Sequence, residues 1–221
     1  MNGPVASLPS VLRSAGLLGL VAVLGTALLA GVNALTHDRI AEQERLVVMR
    51  QLAQVLPAHL YDNALHDDFI EITEPGHFRG KGHVRIHRAR LEGREVGVIF
   101  NLVAPDGYNG DIRLLVGVFP NGAVSGVRVI AHRETPGLGD PIERERSDWI
   151  LGFDGRSLDN PGPEGWAVRR DGGVFDQFTG ATITPRAVVE AVQRVLEYHE
   201  SHAETLFRKP PGAASAEGGE A

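Results

Sequence analysis

The chain has 221 residues, enough for one ordinary domain with an extension, and its net charge is −6 at pH 7. This acidic balance argues against nucleic acid as a partner, since a general nucleic-acid-binding surface is basic. The sequence contains no cysteine, which excludes disulfides, thiol catalysis, iron–sulfur clusters, covalent c-type haem and cysteine zinc sites. Its 27 glycines and 13 prolines favour an α+β or β-rich domain over a helical bundle.

The first predicted element is a transmembrane helix over residues 14–36, after a short N-terminal tail, residues 1–13. The segment SAGLLGLVAVLGTALLAGVNALT carries no charged residue, and roughly 20 such residues span a lipid bilayer. A cleaved signal peptide is the alternative, because small residues at Leu29-Ala30-Gly31 and Val32-Asn33-Ala34 offer cleavage sites. We favour the uncleaved anchor because a signal peptide usually has only about 7–15 apolar residues.

The charges that flank this segment bear on its orientation. Arg13 precedes it, whereas Arg39, Arg45 and Arg50 follow it. The positive-inside rule, applied to this count alone, favours a cytoplasmic location for the C-terminal domain.

A membrane-proximal helix is predicted over residues 37–57, because apolar residues recur there at steps of three and four and Pro57 ends the pattern. Four segments rich in branched residues then predict strands: 83–90, 95–103, 111–119 and 123–130. The Asn121-Gly122 pair between the last two is a hairpin signal. Short connections between the strands indicate an antiparallel meander.

The rest of the chain predicts a turn-rich region, a helix and a tail. Turn residues fill residues 132–173, and an amphipathic helix is predicted over 185–199. One apolar stripe of that helix contains Val188, Val189, Val192, Val195 and Leu196. We therefore expect a single α+β domain over 58–205, with an antiparallel sheet and packed helices. The low-complexity tail, 206–221, is predicted to be disordered.

The stretch DQFTGATITP, residues 176–185, is the first candidate site. Thr184 as N-cap and Pro185 as first helical residue give a plain structural interpretation, a capped helix start. A helix N-terminus also attracts phosphate, and Gly180-Ala181 leave the backbone uncluttered. One of the threonine hydroxyls could therefore lie beside a phosphate or carry one covalently.

Two further stretches are candidate ligand loops. HRETPGLGD, residues 132–140, predicts a tight loop with accessible backbone amides, although a plain surface turn fits it as well. APDGYNGDI, residues 104–112, contains Tyr108, which could stack on a flat ligand or be an exposed hairpin aromatic. His83 and His87 share one face of a predicted strand without a third ligand, so we expect both to be solvated.

These three stretches together resemble a known family. Asp176 to Thr182 is similar to the flavinylation motif D-x-x-[S/T]-G-A-[T/S] of the FMN-binding domain family. HRETPGLGD resembles the ETPGLG segment of G subunits of the Rnf (or Rsx) electron transport complex, and APDGYNGDI matches the same pattern. The resemblance covers roughly residues 15–205. The C subunit of the Na⁺-translocating NADH:quinone reductase shares the domain and is the close alternative.

The resemblance implies a cofactor and a site for it. In the family, the last threonine of the motif, here Thr182, carries FMN through a phosphoester bond. The rest of the motif would be recognised by a flavin transferase that uses FAD: Asp176, Thr179, Gly180 and Ala181. The other two stretches would contact the flavin through the loops Glu134–Gly139 and Asp106–Tyr108, and the contacts expected are Glu134, Thr135, Gly137, Leu138, Gly139 and Tyr108.

The resemblance also implies a function and a location. The chain would be an electron-transfer subunit, not a stand-alone catalyst, in a complex that couples ferredoxin and NAD(H) redox chemistry to ion translocation. Its partners would be the other subunits of that complex and the flavin transferase. The domain would lie on the periplasmic side of the bacterial inner membrane, against the arginine count. A scaffold or sensor domain without flavin is the alternative from another class.

Overall fold

The computed structural model describes residues 8–79, 83–210, 212, 214 and 215, and the chain divides into two units, Met1–Val47 and Val48–Ala221. The N-terminal unit contains most of one long helix, α1 (Leu8–Val55). Its segment Gly16–Asn33 has a mean hydropathy of 1.9 and no buried residue. By length and composition this segment could cross a membrane, in agreement with the predicted span.

The boundaries of α1 extend the predicted N-terminal elements. The helix already begins at Leu8, inside the predicted tail, and residues 1–7 lie outside the described residues. It ends at Val55, just before Pro57, as the sequence predicts. Its last turn belongs to the C-terminal unit, where Leu52 and Val55 are buried.

The C-terminal unit is built on one six-stranded sheet with the order β5-β4-β3-β2-β1-β6. Five of its strands pair antiparallel: β1 (Phe69–Ile72), β2 (Val84–Leu91), β3 (Arg94–Gly107), β4 (Gly110–Val118) and β5 (Val124–Ala131). The predicted antiparallel meander is therefore confirmed. The sequence did not predict β1, because four residues are too few for a strand pattern.

The sixth strand corrects the prediction of a disordered tail. Ala214 and Ser215 form β6 (Ala214–Ser215), which pairs parallel with β1. The Gly212 N–H also donates to the Phe69 carbonyl at 2.8 Å. An edge strand offers unpaired backbone groups, which a polar tail can occupy without a hydrophobic pattern of its own. The tail residues 211, 213 and 216–221 lie outside the described residues.

Each face of the sheet is covered by a different helix. One face packs against α3 (Ile183–Leu206), which is longer than the predicted 185–199, and all five residues of its predicted apolar stripe are buried. A four-residue helix, α2 (Pro75–Phe78), contacts α3. The other face buries Ile99 and Leu115 beneath Leu52 and Leu56 from the end of α1. The packed helices of the predicted α+β fold are thus confirmed.

The C-terminal end of α3 is anchored by arginines from β2. Arg88 is 1% exposed and donates to the carbonyl oxygens of Leu206 at 3.2 Å and Lys209 at 2.5 Å. Its Nε donates to Asp68 Oδ1 at 2.7 Å, and Arg90 donates to the Phe207 carbonyl at 3.2 Å. The last carbonyls of a helix have no intrahelical partner, so these arginines satisfy them.

The prediction of two solvated histidines is wrong for His87. Its ring is buried, and its Nδ1 donates to the Leu65 carbonyl at 2.8 Å. Burial is the main cause that lowers the pKa of His87 below its ordinary value. His83 is exposed, as expected, and contacts Thr73 Oγ1 at 2.6 Å. The buried ring of His87 also lies 5.9 Å from the Phe69 ring, and neither this contact nor the one with Leu65 can be read from the local pattern.

Candidate functional site

The three candidate stretches come together at the N-terminal end of α3. They line one cleft of about 160 Å³, formed by Tyr108, Glu134, Thr135, Leu138, Gly139, Gly180, Ala181, Thr182, Ile183 and Thr184. Of the predicted site residues, this described lining leaves out Gly137, Asp176 and Thr179. Residues far apart in sequence thus form a single candidate site.

The first wall of the cleft is the turn between β3 and β4. The stretch predicted as a loop is mostly strand, since Ala104 pairs with Ile112 and Gly107 with Gly110. Only Tyr108 and Asn109 form the turn, and Tyr108 is 66% exposed. A Cβ on Gly107 would lie 2.2 Å from the Gly110 carbonyl oxygen, so this close approach requires glycine.

The second wall is the tight loop predicted from ETPGLG. The N–H groups of Leu138 and Gly139 both donate to the Thr135 carbonyl, at 3.1 and 3.0 Å. Gly137 has a φ of +80°, and its N–H donates to Asp140 Oδ1 at 2.7 Å. The turn projects Leu138 outward, with 44% of its surface exposed, beside the mouth of the cleft.

Glu134 ties the three stretches to one another. Its carboxylate is buried and accepts two hydrogen bonds, one on each oxygen. The Asn109 N–H donates to Oε1 at 3.0 Å, and the Thr184 hydroxyl donates to Oε2 at 2.5 Å. A Cβ on Gly139 would lie 2.8 Å from the Glu134 Cβ, so the loop has no space for a larger residue. Glu134, predicted as a flavin contact, therefore positions Asn109 and Thr184 in this structure.

The prediction that Thr184 is the N-cap of the last helix is wrong. The helix begins at Ile183, so Thr182 is the N-cap and Thr184 lies inside the first turn, completely buried. Glu134, fifty residues earlier in the chain, supplies the partner that takes the Thr184 hydroxyl. Thr182 itself makes no capping hydrogen bond to any described residue and lines the cleft.

The motif before Thr182 is held by an aromatic cluster. The Asp176 carbonyl accepts a hydrogen bond from Trp149 Nε1 at 2.7 Å. Phe178 packs edge-on against Trp149, with ring centroids 5.2 Å apart. Gly180 has a φ of +83°, and the Ala181 N–H donates to the Phe178 carbonyl at 3.1 Å. These contacts fix the turn that leads into α3.

Two residues of the motif do not line the cleft. Asp176 and Thr179 are exposed, and the Asp176 carboxylate pairs with Arg169 at 2.9 Å. The surface around them also contains the pair Arg186–Asp171, with Arg186 Nε 2.7 Å from Asp171 Oδ2. This hydrogen bond is the main cause that lowers the pKa of Asp171 and raises the pKa of Arg186. The pair joins the first turn of α3 to the preceding loop.

Two positioning residues were not predicted from the sequence. Asn109 donates through its backbone to Glu134, and its side-chain amide donates to Thr135 Oγ1 at 3.0 Å. His132 Nδ1 accepts from the Glu134 N–H at 3.0 Å, so its Nε2 carries the proton directed at Glu143 Oε1, 2.7 Å away. Both residues lie in the quoted stretches, but only their tertiary partners reveal these roles.

The fold and the cleft define a class of protein. The family model described as "FMN-binding domain" matches residues 107–197, which contain all three stretches that line the cleft apart from Ala104–Asp106. A second family model, described as "RnfG N-terminal region", matches residues 1–55, a range that includes all of α1. The chain is thus an FMN-binding domain preceded by an apolar N-terminal helix.

Curated relatives identify the family more closely. Three proteins, each named as the G subunit of an ion-translocating oxidoreductase complex, are similar over nearly their whole length. The one from Pseudomonas aeruginosa is 49% identical over 208 residues, covering 94% of this chain and 97% of the relative. Those from Shewanella loihica and Aliivibrio fischeri are 46% and 42% identical, covering 91% and 92% of this chain and 95% and 97% of each relative. The chain belongs to this family of G subunits.

The residues of the cleft fit part of an FMN molecule. The volume of about 160 Å³ is below the ~300–1,000 Å³ of pockets that enclose a ligand. Tyr108, Leu138 and Ile183 expose 66%, 44% and 44% of their surfaces around it, a rim suited to a flat aromatic ring. The first N–H groups of α3 have no intrahelical partner, which suits a phosphate. A flavin held here would be partly exposed.

Proposed function

We propose that this chain is the membrane-anchored electron-transfer subunit of an ion-translocating oxidoreductase, with FMN attached through a phosphoester to Thr182. The observation that carries this proposal is the position of Thr182. It is the N-cap residue of α3 and lines the cleft formed by all three stretches. Its hydroxyl makes no capping hydrogen bond to the described residues.

The helix start supplies the electrostatics for a phosphate on Thr182. The unpaired N–H groups of the first turn and the positive end of the helix dipole stabilise an anion. Gly180 and Ala181 add little bulk beside Thr182, and the φ of +83° at Gly180 favours glycine there. The covalent bond compensates for a cleft too small to enclose the whole cofactor.

The bond is made by another protein. The Thr182 oxygen attacks the FMN phosphorus of FAD, the phosphoanhydride breaks, and AMP leaves. Among the described lining residues the only carboxylate is Glu134, and both of its oxygens already accept hydrogen bonds. The general base therefore comes from a flavin transferase, and the exposed Asp176 and Thr179 are accessible to it.

Attached FMN supplies one-electron redox chemistry, and the chain supplies its position. The apolar rim of Tyr108, Leu138 and Ile183 orients the ring and leaves part of it at the surface, where a donor or acceptor can approach. Its partners are the other subunits of an Rnf-type complex, and the electrons pass between ferredoxin and NAD(H) as ions move. The relatives named as G subunits favour this assignment over the quinone reductase C subunit.

The apolar segment Gly16–Asn33 anchors the domain in the bacterial inner membrane, with the domain on the periplasmic side. A covalent link retains a cofactor where free flavin is scarce, which supports this orientation. The arginines that follow the span favour the opposite one. A cysteine placed at exposed Glu204 and labelled in intact cells with a membrane-impermeant maleimide tests it. Absence of labelling in cells whose lysate labels fully would place the domain in the cytoplasm.

Intact mass and peptide mapping after co-expression with a flavin transferase test the attachment. We expect one FMN phosphoryl adduct on the peptide that contains Thr182. Thr182→Ala should abolish the adduct, whereas Thr182→Ser, which keeps a hydroxyl and the motif, should retain it. An unmodified wild-type chain would remove the electron-relay function and favour the scaffold or sensor without flavin.

A further inference from the structure

A second, larger cleft lies at the other half of α3, away from every predicted site residue. It has a volume of about 270 Å³ and is lined by Pro120, Asn121, Gly122, Ser157, Leu158, Asp159, Leu196, His199, Glu200 and Ala203. Three elements form it: the β4–β5 turn, the turn Ser157–Asn160, and the C-terminal half of α3. Neither the flavin proposal nor the membrane anchor uses this cleft.

The walls of this second cleft are held in place by hydrogen bonds. The turn Ser157–Asn160 is closed by two backbone hydrogen bonds of 2.9 and 3.1 Å. Trp166 Nε1 donates to the Ser157 carbonyl at 3.0 Å. On the opposite wall, Asn121 Oδ1 accepts from the Ala123 N–H at 3.1 Å. These hydrogen bonds fix the backbone of the two turns that form the cleft with α3.

His199 lines this cleft with a ring that has no partner among the described residues. The residue is 4% exposed, and neither of its ring nitrogens forms a hydrogen bond with a described residue. Burial lowers the pKa of His199 below its ordinary value, so the neutral imidazole keeps a nitrogen that can accept a hydrogen bond. The ring nitrogen that can accept is therefore open to a donor that enters the cleft.

Two carboxylates give the cleft its charge. Asp159 and Glu200 are exposed, lie on different elements, and form no ion pair within the described part of the chain. None of the described lining residues is Lys or Arg. The described residues contain no group of three ligands that could hold a metal ion. The cleft is therefore suited to an organic cation.

The apolar lining indicates what kind of cation fits. Pro120, Leu158, Leu196 and Ala203 provide a surface for an aliphatic stem, with the carboxylates and the imidazole nitrogen available to its head group. A guanidinium presents five donors in a planar fork and is weakly hydrated, whereas an ammonium presents three. We propose that this cleft binds an arginine side chain from a neighbouring subunit. The assignment of the arginine to a neighbouring subunit rests on the proposed membership of a complex. The preference of the cleft for a guanidinium is independent of that proposal.

The chemistry is tested with the full chain in detergent and a small probe. N-acetyl-arginine methylamide is titrated while the ring resonances of His199 are followed by NMR, and N-acetyl-citrulline methylamide serves as the uncharged control. We expect a saturable shift with arginine and at least tenfold weaker binding of citrulline. Equal binding of both compounds, or no shift at His199, would overturn the proposed recognition of a guanidinium.

Matched variants locate the binding. Asp159→Asn and Glu200→Gln should each weaken the arginine probe about three- to tenfold, because each removes a charged acceptor. Glu204→Gln, one turn further along α3 and outside the cleft, is the control and should leave binding unchanged. An equal effect of all three variants would show only a general electrostatic contribution and would contradict a defined site.

The proposal that the arginine belongs to a neighbouring subunit is tested in the purified complex. The double variant Asp159→Asn/Glu200→Gln should lower the amount of this subunit that co-purifies with its partners, with its flavin content unchanged. If the probe binds but the double variant is retained at the wild-type level, the arginine does not come from a neighbouring subunit and that part of the proposal is wrong. Absence of flavin on the wild-type chain would contradict only the proposed function.

Discussion

The two ends of α3 differ in whether their unpaired backbone groups have partners. At the C-terminal end, Arg88 and Arg90 occupy the free carbonyls and are themselves paired with Asp68. At the N-terminal end, Thr182 makes no cap among the described residues, and the first turn opens into a cleft. The closed end stabilises the domain, whereas the open end leaves donors available for a ligand.

The largest effect is expected at the closed end. Arg88→Met should lower the free energy of unfolding by about 3–5 kcal/mol, because it leaves Asp68 without its buried partner and the carbonyls of Leu206 and Lys209 without this donor. Denaturant unfolding of the full chain in detergent measures it. Arg208→Met removes an exposed pair with Glu204 and should change stability by less than about 1 kcal/mol. Similar losses for both variants would contradict the anchoring role of Arg88.

At the open end, Thr184→Val should cost less stability but affect the cofactor. The variant leaves Glu134 with one donor instead of two, at a cost of about 1–3 kcal/mol. It also frees the first turn of α3, so the fraction of chains that carry the FMN adduct should fall. Thr184→Ser keeps the hydroxyl and should restore both quantities, as unfolding and intact mass can show. Normal modification of Thr184→Val would show that this contact does not position Thr182.

Gly139→Ala adds a methyl group at the N-terminal end of α3, beside Glu134 and Thr184. Its Cβ would lie 2.8 Å from the Glu134 Cβ and 3.1 Å from the Thr184 hydroxyl, so the loop must shift. We expect a loss of about 1–3 kcal/mol, typical of overpacking, together with reduced flavin attachment. Gly152→Ala has open space around the added Cβ and is the matched control. If Gly139→Ala is destabilised but its adduct yield is unchanged, the loop contributes to stability and does not position Thr182.

The smallest effect is expected in the pH dependence of stability. It involves His87, the residue before Arg88. Because the pKa of His87 is lowered in the folded state, the unfolded state binds its proton first as the pH falls below about 6.5. Stability should therefore decrease from pH 7 to pH 5, and His87→Gln should flatten this slope. His83→Gln, which replaces an exposed histidine nearby in the sequence, is the control variant. An unchanged slope in His87→Gln would assign the pH dependence to other groups.

Local patterns predicted much of the fold. The branched segments became β2 to β5, and the apolar stripe of α3 is buried, because side-chain periodicity reports which face meets the core. The pattern could not reveal β1 and β6, since neither is long enough to show alternation. It also misjudged His87, because the buried ring contacts the Leu65 carbonyl and the Phe69 ring, which come from elsewhere in the chain.

The sequence by itself determined the membrane-length apolar helix, the meander, and the three stretches that resemble the family. The tertiary structure decided how these stretches meet. The Thr184 hydroxyl donates to Glu134, fifty positions away in the sequence, from inside the first turn of α3. Thr182 is the N-cap residue, and its side chain lines the cleft. Sequence patterns report local conformational preference. A buried carboxylate needs hydrogen-bond donors, and here the tertiary fold supplies them from residues distant in the sequence.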